Sequence, residues 1–125
     1  MKSMPRILVI DDLEGIRAAL VDFLESEGYE CRAAVDGTEG LTQALDWKPD
    51  LVFLDVFMPG INGLEVIRRL RQEDNRTPVI IITAYDQDEL ARDLLVAGAT
   101  DFIRKPWDFS YLKRMVESCL AVREP

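Results

Sequence analysis

The chain has 125 residues, 48% of them hydrophobic, which is enough for one compact domain with a core and too few for two. Its 23 acidic residues outnumber its 15 basic ones, and the net charge of −8 argues against direct binding to nucleic acid or to an anionic membrane surface. No apolar run is long enough to span a membrane and no cleavage-like site follows the first residues, so the sequence predicts a cytoplasmic protein.

Strand and helix patterns alternate along the chain. In chain order, strands are predicted at residues 7–10, at 29–35 from a weaker pattern, at 51–54, at 79–82 and, from a shorter run, at 102–103. Three of these runs are continuously apolar, which is typical of strands covered on both faces. The intervening segments carry apolar residues at helical spacing: Ile16, Leu20, Phe23 and Leu24; Leu64, Ile67 and Leu70; Leu90, Leu94 and Ala97; and Leu112, Met115, Val116, Cys119 and Leu120.

Glycine and proline mark the boundaries of these elements. Gly28 and Gly98 stand where helices are expected to end, and residues 36–37 and 48–50 are predicted to form turns. Five strands that alternate with helices predict an α/β fold, in which a parallel sheet carries helices on both faces and the crossovers are right-handed.

The composition disfavours two common kinds of site. The chain has no histidine, and its two cysteines, Cys31 and Cys119, form no CxxC pattern. Zinc sites and histidine-based catalysis therefore lose their usual ligands and bases. Both cysteines are expected to be small core residues.

Polar side chains follow four of the predicted strands directly. They are Asp11 with Asp12, then Asp55, Thr83 and Lys105. Because ligands bind at the carboxyl ends of parallel strands, these residues are expected to converge on one rim of the sheet. Three carboxylates in one pocket repel each other unless a cation is present, and Mg2+ prefers few carboxylates together with water and phosphate oxygens. An ammonium and a hydroxyl can hold phosphoryl oxygens, so this set of residues predicts phosphoryl transfer to a carboxylate.

Four motifs carry a resemblance to a known family. They are ILVIDD at residues 7–12, DVFMPGING at 55–63, Thr83-Ala84 and Lys105-Pro106. Together they resemble the receiver domains of two-component response regulators, and the likeness spans nearly the whole chain. It implies a single receiver domain over residues 1–125, which could be the N-terminal part of a longer regulator, with a flavodoxin-like (βα)5 fold and strand order 2-1-3-4-5.

The resemblance also implies a role for each site residue. Asp55 would accept a phosphoryl group from a sensor histidine kinase or a histidine phosphotransfer protein. Asp11, Asp12, Asp55 and the backbone carbonyl of Phe57 would hold Mg2+, the one cofactor expected. Lys105 would bind the phosphoryl group.

A conformational switch is implied by the same resemblance. Thr83 would also bind the phosphoryl group and Phe102 would turn into the space that it vacates, a space kept open by the small Ala84. The Lys105-Pro106 bond is expected to be cis. The face formed by the fourth helix, fifth strand and fifth helix would then change, regulate an output domain or effector protein, and offer a surface for homodimer formation. Such a domain is not an enzyme, since it catalyses only its own phosphorylation and dephosphorylation.

Other functions remain open at this point. A haloacid-dehalogenase-type phosphatase also uses acids, Thr, Lys and magnesium, but its nucleophile follows the first strand in a DxD arrangement, where this chain has Asp11-Asp12-Leu13. A flavodoxin-like module that binds flavin mononucleotide needs a hydroxyl-rich loop after that strand, whereas the acids here would repel phosphate. A receiver that works without phosphorylation usually lacks part of the acid and lysine set.

Two bulky aromatic residues near the predicted site allow two interpretations. Phe57 and Tyr85 each lie two residues beyond a predicted site residue. They could screen an acyl phosphate and slow its hydrolysis, or they could be ordinary aromatic residues at the rim.

Overall fold

The predicted alternation of strands and helices is confirmed in a computed structural model, which describes residues 4–58, 60–73, 75–84 and 88–123. The elements in chain order are β1 (Arg6–Ile10), α1 (Glu14–Ser26), β2 (Glu30–Ala34), α2 (Gly37–Trp47), β3 (Leu51–Asp55), α3 (Gly63–Gln72), β4 (Val79–Thr83), α4 (Asp88–Ala97), β5 (Asp101–Arg104) and α5 (Phe109–Arg123).

The five strands form one parallel sheet in the order β2-β1-β3-β4-β5. The fold class and the strand order predicted from the sequence are thus confirmed. Strands β3 and β4 are buried at all five of their positions, which explains why their sequences are almost continuously apolar. The edge strand β2 keeps Arg32 and Ala33 exposed, which is why its sequence pattern is weak.

Alternate residues of the central strands enter two separate core layers. Leu8, Leu54 and Ile81 pack on the side of α2, α3 and α4, together with other buried residues of those helices. Val9 and Phe53 pack on the opposite side, against α1 and α5. Cys31 and Cys119 are half-buried against this second layer, as expected for small core residues.

The helix ends follow the glycine and cap signals, with one correction. Gly28 and Gly98 adopt the positive φ angles of 93° and 121° that suit a helix C-terminus. Residues 36–37 are predicted to form a turn, but in the structure Gly37 is the first residue of α2 and Asp36 is its N-cap, whose side chain accepts a hydrogen bond from the Glu39 N–H at 2.8 Å.

Arg71 ties the end of α4 to α3. Its guanidinium donates hydrogen bonds to the carbonyl oxygens of Gly98 at 2.7 Å and Asn75 at 2.8 Å. Partial burial lowers the pKa of this guanidinium from its usual value.

Within the part of the chain that the structure describes, no helix has the length and apolar character needed to cross a bilayer.

Candidate functional site

The register of the sheet brings the predicted site residues to one edge. Ile10 pairs with Leu54, so the residues that follow them, Asp11 and Asp55, lie side by side at the ends of β1 and β3. On the other side of β3, β4 ends at Thr83, which pairs with Arg104, and the next residue is Lys105. The strand order reverses between β1 and β3, which is where parallel sheets of this kind place their ligands.

Three carboxylates meet at this edge. One oxygen from each of Asp11, Asp12 and Asp55 can be chosen so that all three lie within 4.8 Å of one another. Asp11 is fully buried, Asp55 is 7% exposed and Asp12 is half-buried. Three acids this close and this poorly hydrated repel one another. The donors are all oxygen, and this donor set fits a hard divalent cation such as Mg2+.

The environment of Asp55 makes it harder to ionise than an ordinary aspartate. Its pKa is raised to about 6, first by burial and then by the negative charge of Asp11, with a smaller contribution from Asp12. Lys105 and a hydrogen bond from the Val56 N–H favour the charged form and partly offset this effect. Asp55 therefore changes charge in a pH range where most aspartates are fully ionised.

Lys105 supplies a positive charge inside the acid cluster, and it lies closer to Asp11 than to Asp55. Its Nζ is 3.2 Å from Asp11 Oδ2 and 3.9 Å from Asp55 Oδ1, and its side chain is 15% exposed. The Lys105 N–H also donates to the Thr83 carbonyl at 2.8 Å, and the Lys105-Pro106 bond is cis, as expected. Since 3.9 Å is too long for a hydrogen bond, Lys105 leaves the Asp55 oxygen available to another group.

Asp11 is held from several directions. Its Oδ1 accepts a hydrogen bond from the Leu13 N–H at 2.9 Å, and its carbonyl oxygen accepts one from Arg17 Nη1 at 2.8 Å. Arg17 is not identified by reasoning from the sequence. The one sequence feature that could indicate it is an arginine in the first turn of the helix after the acid pair. Arginines are common on exposed helices, so this feature is weak.

The carboxylates open into a cleft with an apolar rim. The cleft is lined by Asp12, Leu13, Asp55, Phe57, Ala84 and Lys105. Leu13 is 53% exposed and Phe57 is 48% exposed, so the cleft presents apolar surface beside the acids. Tyr85, the second aromatic residue noted in the sequence, lies outside the described residues.

Thr83 and Phe102 share a second, apolar groove beneath α4. The groove is also lined by Leu90 and Leu94, among others, and Thr83 is 7% exposed at the end of β4. Phe102 is half-buried, and the Arg104 Cζ lies 5.4 Å from the centre of its ring. The predicted switch residues therefore occupy one groove, whereas Ala84 lines the acid cleft.

Sequence comparisons identify relatives over most of the chain. A family model described as the response regulator receiver domain matches residues 7–117. Sporulation initiation phosphotransferase F of Bacillus subtilis is 33% identical over 118 residues, which cover 94% of this chain and 95% of that protein. The regulatory protein AtoC of Escherichia coli is 34% identical over 123 residues, and the uncharacterized transcriptional regulatory protein YkoG of B. subtilis is 42% identical over 114. These matches cover 98% and 91% of this chain but only 27% of AtoC and 50% of YkoG, so the chain spans half or less of these two relatives.

Solved structures share the fold closely. The chemotaxis protein CheY4 of Vibrio cholerae superposes with a TM-score of 0.89 at 29% identity, over 94% of this chain and 100% of that one. The receiver domain of the Francisella response regulator 1452 gives a TM-score of 0.91 at 29% identity, over 96% and 99% of the two chains.

Proposed function

This chain belongs to the response regulator receiver domain family, and from that premise we propose that it is a phosphoacceptor switch in which Asp55 takes a phosphoryl group from a histidine kinase or a histidine phosphotransfer protein. One observation carries the proposal: the Asp55 carboxylate faces an open cleft, with the carboxylates of Asp11 and Asp12 and the ammonium of Lys105 around it. We further propose that it acts on no other substrate, so its chemistry is limited to gaining and losing its own phosphoryl group.

The acceptor must be ionised to act as a nucleophile. Burial and two neighbouring acids raise the pKa of Asp55 to about 6, so the ionised form already dominates near neutral pH. In the transfer, an Asp55 oxygen forms the new bond to phosphorus as the bond between phosphorus and the donor breaks. The donor would approach that oxygen from the open side of the cleft.

Charge on the transferred group must be neutralised by the surrounding residues. Asp11, Asp12, Asp55 and the carbonyl of Phe57 are the groups that would hold Mg2+, and the bound ion would neutralise phosphoryl oxygens as well as the acids themselves. Lys105 lies 3.9 Å from Asp55 Oδ1, within reach of a phosphoryl oxygen on that side. A lysine there acts as a point charge.

A shift of Thr83 would transmit phosphorylation at the site to the rest of the domain. Its hydroxyl is the proposed donor to a phosphoryl oxygen, and the same residue lines the groove that holds Phe102 beneath α4. A shift of Thr83 towards the cleft would change the space open to the Phe102 ring and so favour a second arrangement of α4, β5 and α5.

The surface around this groove is suited to contact with a partner. Leu95 and Val96 of α4 are 43% and 84% exposed, and apolar surface of this kind is typical of protein contacts. The proposed partner is an output domain or an effector protein, and a second copy of the chain could use the same face. AtoC and YkoG are regulatory proteins by name, and both are at least twice as long as the matched region.

Labelling with a small phosphodonor tests the proposal. Wild type incubated with acetyl phosphate and Mg2+ should gain the mass of one phosphoryl group, and Asp55→Asn should gain none. Asp22→Asn, at an exposed position on α1, makes the same chemical change away from the cleft and should be labelled like wild type. Equal labelling of wild type and Asp55→Asn would refute Asp55 as the acceptor.

A further inference from the structure

Gly63, the first residue of α3, lies against the backbone of the proposed phosphoacceptor. Its N–H donates to the Val56 carbonyl at 2.9 Å. A Cβ at this position would lie 2.9 Å from the Asp55 carbonyl oxygen and 2.9 Å from Val56 Cα, closer than real Cβ atoms come to other atoms. Gly63 is not among the glycines with positive φ, so space rather than backbone conformation requires glycine here.

Gly37, the first residue of α2, contacts the same connection at its other end. A Cβ there would lie 2.7 Å from the Ile61 carbonyl oxygen and 2.7 Å from Ile61 Cγ1. The side-chain contact could be relieved by rotation of Ile61, but the contact with the backbone oxygen could not. Gly37 is buried and its φ is also not positive.

Both glycines lie against the connection between β3 and α3, whose described residues are 56–58 and 60–62. Val56 and Met58 within it are 3% and 8% exposed, so their side chains anchor the segment in the core. Phe57 lies between them, and its carbonyl is the proposed backbone ligand for Mg2+. A methyl group at Gly63 would push on the backbone of Asp55 and Val56, directly before this carbonyl, and one at Gly37 would push on the Ile61 backbone at the other end of the connection. Groups that only orient ligands often matter to a metal site nearly as much as the ligands do.

We propose that Gly37 and Gly63 are positioning residues that hold the β3–α3 connection close to α2 and α3, and so set the Phe57 carbonyl at the distance from the three carboxylates that Mg2+ binding requires. This inference rests on the proposed function. It gives these glycines a role in the site, although neither offers a group that could touch the ion or the phosphoryl group.

Alanine substitutions with a matched control test the inference. Gly63→Ala and Gly37→Ala add one methyl group at each close contact. Gly15→Ala adds the same group at the second residue of α1, where a Cβ would meet nothing within 4 Å. For each protein, the Mg2+ dissociation constant is measured from amide chemical shifts during titration with MgCl2, and the free energy of unfolding is measured in urea without Mg2+.

The expected result is a Mg2+ dissociation constant raised about tenfold in Gly63→Ala and Gly37→Ala, with that of Gly15→Ala equal to wild type. A purely structural role would lower the free energy of unfolding but leave the dissociation constant of the folded protein unchanged, and that outcome would overturn the inference. If Gly63→Ala does not fold, Gly37→Ala decides the question at the other end of the connection. Absence of Mg2+ binding by wild type would refute the metal site itself, whereas unchanged binding by both variants would refute only the role of the glycines.

Discussion

The raised pKa of Asp55 predicts that this carboxylate destabilises the metal-free protein at neutral pH. The pKa is about 6 in the folded protein against 3.8 for an ordinary aspartate. The folded state therefore binds the proton more tightly than the unfolded state does, and the stability this provides is fully present below about pH 4 and lost as the pH rises through about 6. A shift of roughly two pH units corresponds to about 3 kcal/mol, at about 1.4 kcal/mol per unit.

Asp55→Asn removes the charge and keeps the size of the side chain. Without Mg2+, the variant should exceed wild type in free energy of unfolding by up to about 3 kcal/mol at pH 7.5, and by much less near pH 4, where Asp55 is protonated in the folded state and about half protonated in the unfolded state. Urea titrations in EDTA, followed by tryptophan fluorescence from pH 4 to 8, measure this difference. Taking the difference between the two proteins cancels the titration of the acids that do not interact with Asp55.

The pH dependence of this stability difference tests the raised pKa of Asp55. A difference between Asp55→Asn and wild type that stays constant across the pH range would refute it, because then the pKa of Asp55 would be the same in the folded and unfolded states. Asp22→Asn is the control, since Asp22 is exposed on α1 and its substitution should leave the pH profile of wild type unchanged. Addition of Mg2+ should stabilise wild type more than Asp55→Asn, because the ion favours the ionised acids.

Three further substitutions probe separate parts of the structure. Lys105→Met should lower the free energy of unfolding at pH 7 without Mg2+ by about 3 kcal/mol, since it leaves the buried Asp11 carboxylate without its ammonium partner, and it should slow labelling by acetyl phosphate. Phe57→Ser should increase the dephosphorylation rate several-fold, measured by loss of the phosphoryl mass, if this 48% exposed ring screens Asp55 from water. Arg71→Met should lower the free energy of unfolding in urea by about 2 kcal/mol, because the hydrogen bonds to the Gly98 and Asn75 carbonyls are lost.

Each of these substitutions has a matched control at an exposed position. Lys113→Met removes an ammonium that lies 3.4 Å from Glu27 on the surface, and it should cost little because exposed ion pairs contribute little. Val96→Ser exposes no new path to Asp55 and should leave the dephosphorylation rate unchanged. Arg68→Met, on the exposed face of α3, should have little effect on unfolding. If the free energy of unfolding or the dephosphorylation rate changed as much in a control variant as in the variant it is matched with, the role given to that site residue would be wrong.

The sequence predicts the residues of the acid cleft better than their mutual geometry. Apolar runs identify the strands, and the residues that follow them, Asp11, Asp55 and Lys105, are therefore visible as a group. Their distances depend on the register between strands, which composition and periodicity do not encode. The ammonium of Lys105 lies 0.7 Å closer to Asp11 Oδ2, at 3.2 Å, than to Asp55 Oδ1, at 3.9 Å, and no sequence pattern indicates that difference.

The glycines are a second case in which the sequence does not predict the contacts of a residue. Gly15, Gly37 and Gly63 each stand in the first turn of a helix, and the sequence offers no reason to separate them. Only the neighbouring backbone distinguishes the two with no room for a methyl group from the one that faces open space. The predicted turn at residues 36–37 differs from the structure for a related reason, because an Asp-Gly pair fits both a turn and a capped helix start.

The hydrogen bond from Arg71 to Gly98 restricts how α4 could move if Thr83 shifted. The guanidinium holds the carbonyl of Gly98, directly after the last residue of the helix. Because this contact restrains one end of the helix, a displacement of α4 would grow with distance from that end. Ten residues span about 15 Å, and a swing of roughly ten degrees would carry the first turn by about 2.5 Å while the last turn stayed in place. A partner bound to α4 would therefore contact a helix whose tilt changes, and the displacement would be largest at the first turn of α4.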